Sequence, residues 1–250
     1  QDVDMTVAPE VAQQYFDVLT QAQQRGIPVP AETVQAFYRE NLKQSYPFHP
    51  SLIEVMDGKL ATIPNFQKTR GVLRSMARVI RRMWNTQKTD GLLIHPHSLD
   101  FADPDLVDEL TGRLDRPVFR QVAGYDVATV NGDAHAQVID KTQFSGHAPY
   151  TTQIATTILL HSLPEPPARG VDVDELIAAT LTPTTDPAHL QKALEYLIDE
   201  AWHLDYIGTR YFFQTEPSLN KIIQDETENV PNHEARTEVD RRINRLWRDA

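Results

Sequence analysis

The sequence predicts a mainly α-helical protein with one small β-hairpin near its C-terminal end, and three observations support this prediction. Apolar residues recur at helical spacing through most of the chain, as they do from Val11 to Leu19. Gly26 and the Asp103-Pro104 pair stand where predicted helices would end or begin. Only 203–207 and 210–214 read as strands, and Gly208-Thr209 joins them as a turn.

The first 149 residues are predicted to form helices separated by proline, glycine and irregular chain. We expect helices at 9–25, 30–44, 51–56, 68–84, 103–114, 117–123 and 133–141. Ser51 is the predicted N-cap of the third of these helices, and Phe37 is predicted to face inward from the second. Leu92-Leu-Ile94 reads as a short extended piece.

The last hundred residues show a clearer order. Helices are predicted at 150–163, 172–181 and 186–202, followed by the hairpin. Asp172 with Glu175 three residues later predicts a capping box. Three helices followed by a hairpin is the order of a winged helix, so the predicted fold class is mainly α with a winged-helix-like region. Four segments follow from this reading: a helical subdomain at 1–84, a connecting region at 85–149, the winged-helix-like domain at 150–230 and a charged C-terminal helix at 231–250.

Composition limits the classes of protein that this chain can represent. The 250 residues carry a formal net charge of -11, which argues against nonspecific nucleic-acid binding by the whole surface. The absence of cysteine excludes disulfides, thiolate catalysis and cysteine-based zinc sites. No run of 18 apolar residues occurs, so we expect no membrane span and a cytoplasmic location.

One segment reverses the local charge. Lys68 to Trp84 carries six basic residues and no acidic one, and Arg70, Arg74, Arg78 and Arg82 repeat every four residues along one helical stripe. We call this predicted helix the basic helix. Its opposite side is predicted to be a core face, formed by Val72, Leu73, Met76, Val79, Ile80 and Met83. Guanidinium groups that point outward from a packed helix suit anion binding, and a solvated basic face is the alternative.

Signatures of catalysis are missing from the sequence. It contains no phosphate-binding loop, no dinucleotide-binding glycine pattern and no nucleophile elbow, so we predict no catalytic residue in this chain. His95-Pro-His97 is a weak start for a metal site, because a closed zinc site needs four ligands. Loop histidines are the favoured interpretation, and we predict no metal.

A winged helix suggests DNA, and this hypothesis stays open beside two others. The third helix offers Lys192 but also Glu195, Asp199 and Glu200, which repel phosphate. The hairpin adds only Arg210. Nucleic-acid binding would use these two basic residues together with Arg78, Arg81 and Arg82 of the basic helix. The other two hypotheses are docking to protein and a scaffold without ligand.

Several segments resemble a known family. Tyr46-Pro-Phe-His-Pro50 and Phe66-Gln-Lys-Thr-Arg-Gly-Val-Leu-Arg74 are similar to the lid region of large AAA+ ATPases of the domain-of-unknown-function family 499, often called anti-phage-associated. Ile154 to Leu160 and Thr215 to Lys221 resemble that family's later region, so the likeness spans most of 35–225. Thr69 to Arg74 also resembles the equivalent segment of Clp-family unfoldases.

The resemblance implies a role for two arginines. In AAA+ proteins a sensor-2 arginine begins a lid helix and contacts the γ-phosphate, so Arg70 is the candidate and Arg74 the alternate. Residues 1–84 would then be an α-helical lid of a AAA+ ATPase that binds ATP and Mg²⁺ in a core preceding residue 1. We expect this chain alone to bind neither and to be inactive. Expected partners are its own ATPase core, further copies in a homo-oligomer, and DNA or a defence-system protein.

Overall fold

The structure is a computed structural model that describes residues 4–63, 73–74, 76–81, 92–112, 116–219, 221–223, 236–241 and 245. These residues are mainly helical and include one three-stranded antiparallel sheet. The prediction of a mainly α fold with a small β-hairpin is therefore confirmed. The α-helices are α1 (Ala8–Gln24), α2 (Ala36–Ser45), α3 (Pro50–Ile53), α4 (Pro104–Val107), α5 (Phe119–Val122), α6 (His135–Gln143), α7 (Tyr150–Ser162), α8 (Val173–Thr180) and α9 (Pro187–Glu200).

Shorter helical turns extend or connect these helices. Wide π-type turns continue α3, α4 and α5 over Glu54–Lys59, Asp108–Gly112 and Ala123–Val127. Turns of 3-10 helix cover Met5–Val7, Ala31–Val34, Leu60–Thr62 and Pro96–Ser98. The predicted helix at 30–44 is thus divided, because Gln35 is extended with ψ of 149° between the 3-10 turn and α2. Phe37 does not face inward as predicted, since its side chain is 51% exposed.

Helix α7 lies at the centre of the main hydrophobic core. Almost every residue from Tyr150 to Ser162 is buried, including polar ones. Two of those hydroxyls are satisfied within the helix: Thr157 donates to the Gln153 carbonyl at 2.9 Å and Ser162 to the Ile158 carbonyl at 2.6 Å. A helix buried on all sides needs no polar face, so its low amphipathicity in the sequence reflects its position in the core.

The start of α7 is capped from another helix. The Asp140 carboxylate, on α6, accepts hydrogen bonds from the backbone N–H of Thr151 at 2.8 Å and of Thr152 at 2.9 Å. A carboxylate at this end also complements the positive pole of the helix dipole. The two helices are therefore joined at the point where α7 enters the core.

The sheet contains the predicted hairpin and one further strand. Strands β2 (Leu204–Ile207) and β3 (Arg210–Phe213) pair around Gly208, whose φ of 63° suits the turn. Strand β1 (Val171–Asp172) pairs with the other edge of β3, which gives the order β1-β3-β2. Strand β1 is only two residues long, and the sequence did not predict a strand at this position.

Two predicted caps are wrong. Asp172 makes no side-chain hydrogen bond to the start of α8, because its carboxylate instead accepts from the Arg210 guanidinium at 2.7 Å. Ser51 is not the N-cap of α3; that residue is His49, whose Nδ1 accepts from the Ser51 backbone N–H at 3.2 Å. The partner of Asp172 is distant in the sequence, whereas His49 caps the helix from two residues before Ser51.

One continuous hydrophobic core joins the N-terminal helices to the sheet. It includes Leu19 of α1, Leu52 of α3, Leu110, Ile158 of α7 and Phe213 of β3. The predicted segment boundaries near 84 and 230 fall on residues outside the described part, and the four-segment division stays a prediction. Within the described ranges, no helix is both long enough and apolar enough to cross a membrane.

Candidate functional site

The described part of the basic helix, 73–74 and 76–81, is helical as predicted, but its faces differ from the prediction. Val79 is buried, whereas Leu73 and Ile80 are 62% and 45% exposed. The arginine stripe does not simply point outward, because Arg74 and Arg78 turn toward the body of the protein and contact Glu109. The predicted core face and arginine face are therefore both partly wrong.

Glu109 holds the two arginines with a nearly buried carboxylate. Its side chain is 7% exposed, with Oε1 3.4 Å from Arg74 Nη1 and Oε2 2.6 Å from Arg78 Nε. A spacing of four residues brings both guanidinium groups to the same side of the helix. We call these three side chains the Glu109 clamp. It fastens the basic helix to the π-turn that follows α4. The sequence did not predict it because the partners are distant in the chain, with Arg74 and Glu109 35 residues apart.

The Glu109 clamp makes a testable contribution to stability. Glu109→Gln is expected to lower the free energy of unfolding by about 1 kcal/mol, because it removes a buried charge from two partly exposed arginines. Asp108→Asn is the matched control, since the neighbouring Asp108–Arg120 pair is more than half exposed on both sides. Urea denaturation followed by circular dichroism gives both values. Equal losses in the two variants would contradict the clamp.

The remaining predicted site residues are spread over the chain. Arg70 and Arg82 lie outside the described residues, and Arg81 is exposed on the basic helix. Lys192 is exposed on α9, with its Nζ 5.4 Å from the centre of the Tyr196 ring. Arg210 on β3 is engaged by Asp172, with Nη2 2.7 Å and Nε 3.2 Å from the same carboxylate oxygen.

Three histidines form a stack beneath α1, in which His49 and His95 are buried and His97 is partly exposed. The rings of His49 and His95 lie 4.6 Å apart and those of His95 and His97 lie 4.7 Å apart, both stacked. His95 lies in non-helical chain, as the interpretation of loop histidines implies, but it is only 1% exposed and so is not a solvated residue. Its Nδ1 lies 2.8 Å from the Ala179 carbonyl and its Nε2 2.8 Å from the Tyr15 hydroxyl. A carbonyl only accepts, so we assign the proton to Nδ1, and Nε2 accepts from Tyr15.

Burial governs the protonation of this stack. It lowers the pKa of His95 to about 4 and holds the pKa values of His49 and His97 well below the usual 6.5. The rings stack face to face, which is not how imidazoles converge on a metal ion. Across the residues that the structure describes, no group of three or more His, Asp or Glu side chains is placed to hold a metal.

A second buried group joins the connecting region to the sheet. The Asp126 carboxylate is fully buried and accepts from Nδ1 of His135 and Nδ1 of His203, both at 2.7 Å. It also accepts the backbone N–H of Trp202 at 3.0 Å and of His203 at 2.9 Å. Burial alone would raise the pKa of Asp126, but these hydrogen bonds outweigh it and lower the pKa to about 2. We call this group the Asp126 knot.

Catalysis is not what the Asp126 knot is built for. Both oxygens of the carboxylate accept hydrogen bonds, from four donors in all. These contacts connect residues 77 positions apart. A carboxylate that orients a histidine resembles the acidic member of a catalytic triad, yet no serine, threonine or lysine bonds to either ring among the hydrogen bonds of the described residues. The knot therefore reads as a structural connection between α5 and the start of β2.

One comparison with known families gives a match to this chain. The sequence model of the DUF499 second domain matches residues 7–195, which is most of the chain. The protein belongs to the DUF499 family. No curated protein and no solved structure gives a significant match to this chain.

Proposed function

We propose that this chain is the C-terminal coupling portion of a AAA+ ATPase of the anti-phage-associated type. In this proposal 1–84 is a lid-like helical subdomain, and Arg70 responds to ATP bound in a core that precedes residue 1. The membership in the DUF499 family is compatible with this role. ATP and Mg²⁺ belong to that core, and the described residues offer no group that would hold the metal.

The Glu109 clamp is the observation that supports this function best. A coupling element needs a rigid connection between the segment that senses the nucleotide and the segment that moves in response. Arg74 and Arg78 supply such a connection, because their shared carboxylate joins the basic helix to α4 and its π-turn. Arg70 precedes Arg74 by four positions in the sequence, the spacing of about one turn of the predicted helix, so in this proposal a shift of Arg70 toward a phosphate is passed to the clamp.

Since Arg74 is occupied by Glu109, Arg70 is the better sensor candidate of the two. A guanidinium paired with a carboxylate must give up that partner before it can bind phosphate. Further copies of the parent protein, in a homo-oligomer, and a defence-system protein are the proposed partners.

Arg70→Ala in the intact, longer protein tests the proposal. We expect ATP turnover to fall about tenfold or more, which corresponds to the loss of one charge-assisted hydrogen bond to a phosphate. Arg81→Ala is the matched control, because Arg81 is an exposed arginine on the same helix. Steady-state hydrolysis of ATP is measured for both variants. If Arg70→Ala retains full turnover, the sensor role is wrong.

Nucleic-acid binding is a second candidate because of the order of elements from α7 to β3. Helix, strand, two helices and a hairpin, with β1 paired to β3, is the order of a winged helix. The charges weigh against it: Arg210 is held by Asp172, and α9 exposes Glu195, Asp199 and Glu200 beside Lys192. A salt titration of binding to duplex DNA separates the candidates, because several neutralised phosphates give a steep salt dependence.

A further inference from the structure

A cavity of about 560 Å³ lies between the N-terminal helices and the helices of the core. Residues of α2 and α3, the Ala31–Val34 turn, α7 and α8 form its wall. Its size falls within the range of ligand-binding pockets in proteins. No predicted site residue lies in it, and neither the Glu109 clamp nor the Asp126 knot contributes to it.

The wall of this cavity is negatively charged. Glu32, Glu54 and Glu175 contribute to it, and the described residues place no lysine or arginine in it. Burial is the main cause of two raised pKa values in this wall, and neighbouring carboxylates add to both. The pKa of Glu175 is raised by burial, is lowered by the adjacent Lys59 ammonium, and is raised further by the carboxylate of Glu54. The pKa of Tyr38 is likewise raised by burial and then by Glu54 and Glu32. A cation is the charge that such a wall would stabilise.

His161 gives the cavity an unused hydrogen-bond donor. The side chain is 5% exposed, and Lys59 Nζ lies 2.9 Å from its Nδ1. Lys59 also donates to the Gly170 carbonyl at 3.0 Å and lies 3.8 Å from Glu175 Oε2, as expected for an ammonium group. An ammonium only donates, so Nδ1 is the acceptor and we assign the ring proton to Nε2.

That Nε2–H has no hydrogen-bond partner among the described residues. Burial, with the adjacent Lys59 charge, keeps the pKa of His161 well below its usual value, so the ring is neutral. His161 is part of the cavity wall and Lys59 is not, from which we infer that the Nε2 edge faces the cavity. A buried donor left unpaired is unfavourable, so a ligand with an acceptor such as a carbonyl oxygen would stabilise it.

We propose that this cavity binds a lysine or arginine side chain, together with the adjacent peptide carbonyl, from a partner protein. The carboxylates of Glu32 and Glu54 receive the cation, while Glu175 stays beside Lys59, and His161 donates to the carbonyl. Two large apolar side chains that line the cavity favour a peptide over a free amine. Phe37 and Ile53 are 51% and 37% exposed, and apolar residues flanking the basic one would cover them. This inference is independent of the ATPase proposal, because it uses none of the same residues.

Calorimetric titration of the full chain with a capped peptide, acetyl-Ala-Leu-Arg-Leu-Ala-amide, tests the inference. We expect measurable binding with Kd of about 1 mM or tighter, and about tenfold weaker binding when citrulline replaces the arginine. Citrulline keeps the shape and removes the charge. Arginine amide lacks the flanking leucines and should bind more weakly than the peptide.

Substitutions in the wall complete the test. Glu54→Gln is expected to weaken binding of the arginine peptide about three- to tenfold, whereas Glu195→Gln, the same change on exposed α9, should leave it unchanged. Glu54 is exposed, so its variant should fold normally. Absence of binding by the arginine peptide, equal binding of the citrulline peptide, or equal effects of the two glutamate variants would overturn the proposal. If arginine amide binds as tightly as the peptide, the ligand of the cavity is a small cation and not a peptide, which also overturns the proposal.

Discussion

Lowering the pH from about 7 to about 4 is expected to destabilise this protein by about 3 kcal/mol through His95 alone. The pKa of this histidine is lowered from 6.5 to about 4 by burial. His95 therefore binds a proton near pH 6.5 in the unfolded chain, but only near pH 4 in the folded chain. Stability from this group is complete above the unfolded value and falls as the pH drops through that window.

Among the described residues, no carboxylate hydrogen-bonds to the stack to offset this cost. The polar contacts of the stack are the Tyr15 hydroxyl, the hydroxyl and backbone N–H of Ser51, and the Ala179 carbonyl. His49 and His97 add to the loss in the same direction, since their pKa values are also lowered by burial and by the adjacent His95. Acid unfolding should therefore begin well above the range in which carboxylates are protonated.

Chemical denaturation at a series of pH values measures this effect. His97→Phe keeps an aromatic ring at the edge of the stack and removes one proton-binding group, so its stability should fall less between about pH 6.5 and about pH 4. His147→Gln is the control, because His147 is exposed. If the wild-type stability is flat over this range, the three rings are not held neutral by the fold.

Asp126→Asn is expected to lower the free energy of unfolding at neutral pH by about 3 kcal/mol. The substitution keeps the shape of the side chain but removes the charge, and its amide group donates toward groups that are themselves donors. Two histidine rings and two backbone N–H groups then lose part of their partner. We expect the loss of stability to be greatest at the junction of α5 with β2, because the Asp126 knot joins these two elements.

The pH dependence of the wild type gives an independent check on the Asp126 knot. A pKa lowered from 3.8 to about 2 means that stability from this carboxylate is full above 3.8 and is lost as the pH falls toward 2. Asp126→Asn should not show that loss. Asp133→Asn, a change at an exposed aspartate nearby, should cost less than about 0.5 kcal/mol in urea denaturation. Comparable losses in the two variants would mean that Asp126 is not a central contact.

Local pattern was enough to predict most helices. Helix α1 follows from apolar residues such as Val11 and Leu19 at helical spacing, and Asp186 caps α9 as an aspartate before proline should. The hairpin follows from two β-like runs around Gly208. These features depend on residues within a few positions of one another, so the chain order alone contains them.

Contacts between distant residues were not predictable in the same way. His95-Pro-His97 was interpreted as loop histidines, although His95 is buried against α1 and α8. Nothing near Glu109 in the sequence marks it as the partner of two arginines, and nothing near Asp126 marks it as the acceptor for two histidines. Each of these side chains is defined by a partner between 35 and 84 positions away.

The sequence by itself determined the helical class, the order of the helices α7, α8 and α9 and of the hairpin that follows them, and the reversal of charge in the basic helix. These depend on hydrophobic periodicity, capping residues and turn residues, all of which act over one or two turns of chain. Only the tertiary structure decided that Arg74 and Arg78 face Glu109, that three histidines are neutral, and that three glutamates and His161 share one cavity. Ion pairing, desolvation and cavity shape depend on which distant elements pack together, and a local sequence pattern does not determine that packing.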